Sequence, residues 1–117
     1  MAKQKVHFAH YLAVVRLSLA DTSTKVAFIP KGAQVLHLSI EVEQPSTAGS
    51  KLDVGFEGDL GALANDVDIS SKGAHIANVS FEAKDTLELI ATTQGATDGS
   101  AILRLGYFLP STLDFEV

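Results

Sequence analysis

Residues Gln34 to Glu43 read QVLHLSIEVE, and their alternation decides the fold. Leu36, Leu38, Ile40 and Val42 recur at every second position, with His37, Ser39, Glu41 and Glu43 between them. Successive strand side chains point to opposite faces, so this period predicts a strand with one dry side. The same period extends outward along the chain. Val15, Leu17 and Leu19 alternate with Arg16 and Ser18, and Leu52, Val54 and Phe56 alternate with Asp53, Gly55 and Glu57. Ile76 to Phe81, Thr86 to Thr93 and Ala101 to Phe108 read likewise, the last setting Leu103, Leu105 and Tyr107 opposite Arg104 and Gly106. Between the runs lie turn-forming clusters, at Asp21–Thr24, Pro30–Gly32, Gln44–Ser50, Ser70–Gly73, Lys84–Asp85 and Gln94–Ser100.

Short strands separated by turns, with little helical periodicity, imply an all-β fold: an antiparallel β-sandwich, jelly-roll-like, rather than βαβ units. One stretch reads differently. In Asp59 to Asp66, DLGALAND, the residues Leu60, Leu63 and Ala64 fall at helical spacing behind a candidate N-cap, Asp59, which predicts one short helical turn. A chain of 117 residues buries roughly two-thirds of its unfolded surface, enough for a single domain over 1–117. Hydrophobic residues at 46% and charged residues at 20% fit a folded globular chain. The absence of cysteine excludes a disulfide scaffold, a thiolate zinc site and a cysteine nucleophile.

A net charge of -5 argues against nucleic acid as a partner. The charge is uneven, at +4 over residues 1–37, -6 over 38–70 and -3 beyond, a polarity suited either to contacts between subunits or to solvated faces of one domain. No apolar run approaches the roughly 20 residues that span a bilayer, so no membrane partner is expected. MAKQKVHFAH lacks the apolar core of a secretory signal, which points to synthesis in the cytoplasm.

The two ends carry strand alternation of their own. Val6 and Phe8 flank His7, and after Pro110 the tail STLDFEV alternates Leu113, Phe115 and Val117 with Asp114 and Glu116. The segments 1–12 and 110–117 therefore either pair within their own chain or add to a neighbour's sheet. The residues expected at subunit contacts are Val6, Phe8, Tyr11, Leu113, Phe115 and Val117, with Arg16 and Glu41 as charged partners at the rim.

Phe28-Ile29-Pro30-Lys31-Gly32-Ala33, then Leu52-Asp53-Val54-Gly55, then Ala62-Leu63-Ala64-Asn65-Asp66-Val67-Asp68 follow one another in a fixed order, closed by the strand Ala101 to Phe108. This order over about residues 26–108 resembles small virion structural proteins of tailed bacteriophages and prophages. The resemblance implies a β-sandwich that assembles, as a homotrimer, on a phage particle as a capsid decoration (cement) or fibre component. It also implies no enzymatic chemistry, no cofactor, and partners that are copies of itself and capsid or other virion proteins, in a virion formed inside a bacterial host. The turn itself has a physical reading. Pro30 fixes its own φ and Gly32 permits a left-handed residue, so PKG reverses the chain before the Gln34 strand. Gly55 within a strand marks a bulge, a close backbone approach or simply the strand's end.

Other chemistries weigh less. Asp53, Glu57, Asp59, Asp66 and Asp68 lie close in sequence and could form an oxygen-rich rim for Ca²⁺, but their spacing matches no EF-hand loop. His7 and His10, three apart on a strand, point to opposite faces and cannot chelate one ion unless the segment is helical, and His37 and His75 stand alone. There is no GxSxG elbow, and GFEGDLG lacks the lysine of a phosphate loop. The alternative function is a carbohydrate-binding, lectin-like sandwich, which would need Tyr11 or Tyr107 exposed in a concave, acid-lined site, since the chain has no tryptophan.

Overall fold

The computed structural model describes residues 3–116, with side-chain surroundings given for 6–111. Its strands are β1 (Lys3–His7), β2 (His10–Ser18), β3 (Ser23–Ile29), β4 (Gln34–Gln44), β5 (Lys51–Phe56), β6 (Asp59–Asp68), β7 (Gly73–Ala77), β8 (Phe81–Glu82), β9 (Leu87–Gln94), β10 (Ser100–Phe108) and β11 (Thr112–Glu116). One sheet runs β2-β10-β4-β7, with β8 also on β4, and a second runs β3-β9-β5-β6. Every pairing is antiparallel. The two sheets share a core of fully buried side chains, among them Leu38, Ile40, Val42, Leu103 and Leu105 from the first and Leu52, Val54 and Leu89 from the second. The all-β antiparallel sandwich expected from the alternation is the fold observed.

Three local expectations are corrected. Leu36 does not share the inner face of Leu38. The register moves from Gly106↔His37 to Tyr107↔Val35, so Leu36 is the extra residue of a bulge. Val35 takes the buried position and Leu36 is left 53% exposed. Ile76 to Phe81 is not one strand but the two pieces β7 and β8, parted by a tight turn in which Val79 N–H donates to the Ala77 carbonyl (3.1 Å). Asp59 to Asp66 forms no helical turn, because it is strand β6. Phe56 pairs with Asp59 and Val54 with Ala64, so Leu60 to Leu63 arch over the single residue Gly55. That arch, rather than a helix, brings Leu63 against the core and buries Ala64.

Gly55 accordingly marks a close backbone approach: a Cβ there would fall on the Asp59 carbonyl oxygen and 2.6 Å from the Leu60 oxygen. The PKG turn forms as its chemistry dictates. Ala33 N–H donates to the Pro30 carbonyl (3.1 Å), Gly32 has φ +88°, and Gly32 N–H reaches the Ala83 carbonyl (2.7 Å), tying the turn to the β8 end.

The turn after β6 is fixed by Asp68, whose carboxylate accepts the Ser70 hydroxyl (2.5 Å) and the Ser70 N–H (2.9 Å). The hydroxyl bond first, and the backbone bond next, hold the Asp68 carboxyl below the usual carboxylate range. A folded-state value below the unfolded one means stability that is present above the unfolded value and lost as pH falls through the folded one. An NMR titration should find Asp68 titrating below the ordinary aspartate value, with Ser70→Ala returning it toward that value.

Candidate assembly surface

The terminal strands leave the sandwich together. β1 and β11 pair only with each other, in the register Lys3↔Glu116, Gln4↔Phe115, Lys5↔Asp114, Val6↔Leu113 and His7↔Thr112. Five residue pairs at about 3.4 Å per residue make an arm roughly 17 Å long. The arm stretches the molecule to 55 × 26 × 20 Å, with a radius of gyration of 15.8 Å. A compact chain of this length would have about 13 Å.

Directly paired residues of an antiparallel ribbon share a face. Of the residues expected at subunit contacts, Leu113 and Phe115 pair with Val6 and Gln4 in this ribbon, and their side chains lie outside the described residues. The two ends pair within the chain, one of the alternatives their alternation left open. Val117 lies outside the described residues. The arm is anchored at its base by Leu109 N–H donating to the Ala9 carbonyl (2.7 Å) and by His7 Nδ1–H donating to the Leu109 carbonyl (2.8 Å).

Below the arm, β2 sets Ala13, Val15 and Leu17 toward the core, and His10, Leu12, Val14, Arg16 and Ser18 outward. Leu12 (55% exposed) and Val14 (57%) are apolar and exposed on that outer side, and Phe8 (62%), just before β2, is exposed as well. Leu36, displaced by its bulge, is also exposed, on β4, which lies on the other side of β10 from β2. An open groove of about 610 Å³ at the arm's base is lined by His7, Gln34, Leu36, Phe108 and Pro110, among others. Its polar groups are engaged. His7 holds Leu109, and Glu82 accepts from Gln34 (3.1 Å) and pairs with Lys84 (3.3 Å).

The exposed apolar positions of β2 end at charge. Arg16 pairs with Glu43 (3.5 Å), and Glu41 with Arg104 (2.8 Å), all on the outer face of the first sheet. These partly exposed pairs contribute at most about 1 kcal/mol each, so they border those positions more than they stabilise the fold.

The acidic rim is divided among structural tasks. Asp53 is buried, its Oδ1 accepting the Asp66 N–H (2.7 Å) and its Oδ2 facing Gln94 Nε2 (3.4 Å). Asp68 is turned to Ser70. Among the described residues no three His, Asp or Glu gather as a metal site would require. His10 rests on the Phe108 ring, with centroids 4.6 Å apart. Tyr107 packs against the core and Tyr11 leans on it edge-on at 6.1 Å. Neither lines the groove at the arm's base.

Leu12, Val14 and Leu36 were missed as surface residues by the alternation. The signal for the first two was present: Arg16 must face water, and parity carries Val14 and Leu12 to its side. Leu36 had no such signal, because a bulge is invisible to a count of two.

The first sheet thus carries an arm at one end, exposed apolar side chains at its base and a charged border. No protein-family model matches the chain, and no curated protein matches it either. Solved structures do. The chain is similar to a chain in the acidic stable capsid structure of Helicobacter pylori bacteriophage KHP30, at 28% identity and TM-score 0.84, covering 99% of this chain and 100% of that one. It is also similar to chains in the cyanophage Pam1 capsid asymmetric unit (17%, TM-score 0.68, 86% and 85% covered) and the capsid of Ralstonia phage GP4 (17%, 0.60, 87% and 84%). The latter two share the fold. The resemblance to phage virion structural proteins, read from the order of turns and strands, is borne out by the first of these matches.

Proposed function

We propose that this chain is a structural component of a phage or prophage virion, bound to the capsid as a decoration (cement) protein. The observation that carries this reading is the end-to-end match, whole chain to whole chain, with a chain of a phage capsid structure. That setting favours a capsid role over a fibre role. The chain acts by burying surface between its copies and against the shell, with many weak contacts summing over the particle, and it transforms no substrate. Copies of itself, as a homotrimer, and capsid protein are its partners. Nucleic acid and membrane are not, in keeping with the net charge of -5. It is made in the host cytoplasm and resides in the virion. The lectin-like alternative finds no support in the placement of Tyr11 and Tyr107.

Size-exclusion chromatography with light scattering tests the assembly. At high micromolar concentration the full chain should run at three times its own mass, and a chain ending at Pro110, which lacks β11, at one. A monomeric full chain overturns the self-association. Purified particles of the phage that carries the gene should contain the chain in many copies; particles without it overturn the virion role.

A further inference from the structure

Gly106 lies on the outer face of the first sheet, opposite Leu12 of β2 and His37 of β4, and yet it is buried. Two imidazole side chains close over it. A Cβ built on Gly106 would stand 3.3 Å from His10 Nε2 and 3.2 Å from His37 Cβ, so both histidines lean into the space that the missing side chain leaves. They come from opposite flanks, His10 from β2 and His37 from β4, with β10 between them. Cβ atoms of directly paired residues ordinarily stand about 4.5–5.5 Å apart, so His37 is drawn unusually close, beside the register shift that displaces Leu36. Their meeting leaves no trace in the sequence, because it runs through a third strand.

We propose that His10 Nε2 and His37 Nδ1 together bind one divalent transition-metal ion, zinc, in the notch over Gly106. The site stands independently of the virion role.

Each imidazole is oriented from behind. His37 Nε2 lies 3.2 Å from Ser39 Oγ, and with Nε2–H donating to that oxygen the lone pair is left on Nδ1. Metal-binding histidines characteristically spend their second nitrogen on such a bond, which fixes both tautomer and ring direction. His10 is positioned by its ring packing on Phe108, with centroids 4.6 Å apart, and Nε2 is the atom that leads into the notch. Tetrahedral zinc at about 2.1 Å from each nitrogen sets the two about 3.4 Å apart. His10 is exposed, so its ring is free to turn and meet that span.

The donors select the ion. Neutral imidazoles suit zinc, copper and nickel, whereas calcium and magnesium take oxygen ligands. Arg104, the next outward residue of β10, is held by Glu41 at 2.8 Å, which offsets its repulsion of a cation. Two protein ligands are fewer than the three of a catalytic zinc centre, so water completes the tetrahedron.

Calorimetric titration of the full chain with Zn²⁺ at neutral pH should show one ion bound per chain, and Mg²⁺ should give no binding heat. His10→Ala and His37→Ala should each weaken Zn²⁺ binding by about tenfold or more, and Ser39→Ala by about tenfold, as loss of an orienting bond does. His75→Ala is the control, since His75 pairs with the core residue Ile40 and so lies off the outer face; it should leave the affinity unchanged. A readout that needs no variant to fold is the NMR spectrum of the unmodified chain, in which Zn²⁺ should move the imidazole resonances of His10 and His37 and leave those of His7 and His75 in place. The shared site is overturned by a chain that binds no Zn²⁺, by an affinity indifferent to His10→Ala, His37→Ala or Ser39→Ala, by an equal loss in His75→Ala, or by resonance shifts spread evenly over the four histidines.

Discussion

Gly55→Ala should destabilise the chain by about 3–5 kcal/mol, read as a drop in the urea midpoint at unchanged slope. The substitution is the smallest one available in the middle of β5, and a methyl group at an ordinary buried strand position would be nearly neutral. Here the added carbon would fall on the Asp59 carbonyl oxygen and within 2.6 Å of the Leu60 carbonyl group. Both obstacles are backbone, which cannot swing aside as a long side chain would. Relief requires the Leu60–Leu63 arch to lift, and lifting it drags Leu63 and Ala64 off the core and disturbs the Asp66 N–H bond to Asp53 Oδ1. Asp66 is held at φ +56° at the end of that arch, so its backbone has little freedom to absorb the shift. A cost below about 1 kcal/mol would show that the β6 arch is loosely held and that the approach over Gly55 does not constrain the sheet.

The same arch marks the limit of what alternation could reveal. The strands β2, β4, β5, β9 and β10 were legible because each keeps period two over a buried face: Leu38, Ile40 and Val42 on β4, Leu103 and Leu105 on β10. Departures from period two were not legible. Leu36 lies at a bulge, and β3 went unread because a register shift between Lys25 and Ala27 leaves Val26, Ala27, Phe28 and Ile29 without a clean alternation. In β6 the spacing of Leu60, Leu63 and Ala64 imitated a helix because the strand bends around a glycine on its neighbour, and that cause lies on another segment. Of the residues expected at subunit contacts, Phe8 and Tyr11 are exposed and the ends form strands, legible from their alternation, while Arg16 and Glu41 pair with charged residues of their own sheet that a count along one strand does not reveal.

Leu103→Ala should cost about 3–4 kcal/mol and lower the melting temperature by on the order of 10–15 °C. Leu103 is fully buried at the middle of β10, the strand flanked on both sides, opposite Val15 of β2 and Ile40 of β4. Its neighbours along the inner face, Ala101 and Leu105, are also fully buried, so no side chain stands at the margin ready to fill the space. The backbone is held by ladders on two sides, which limits collapse into the cavity and puts the cost in the upper part of the range for such truncations. The adjacent residue supplies the contrast. Ile102 lies on the outer face between Arg16 of β2 and Glu41 of β4, and it is only 9% exposed. Ile102→Ala should cost about half as much, because nearby long side chains on the open outer face can settle into the gap. Equal losses at the two positions would mean that the outer face is as rigidly packed as the core.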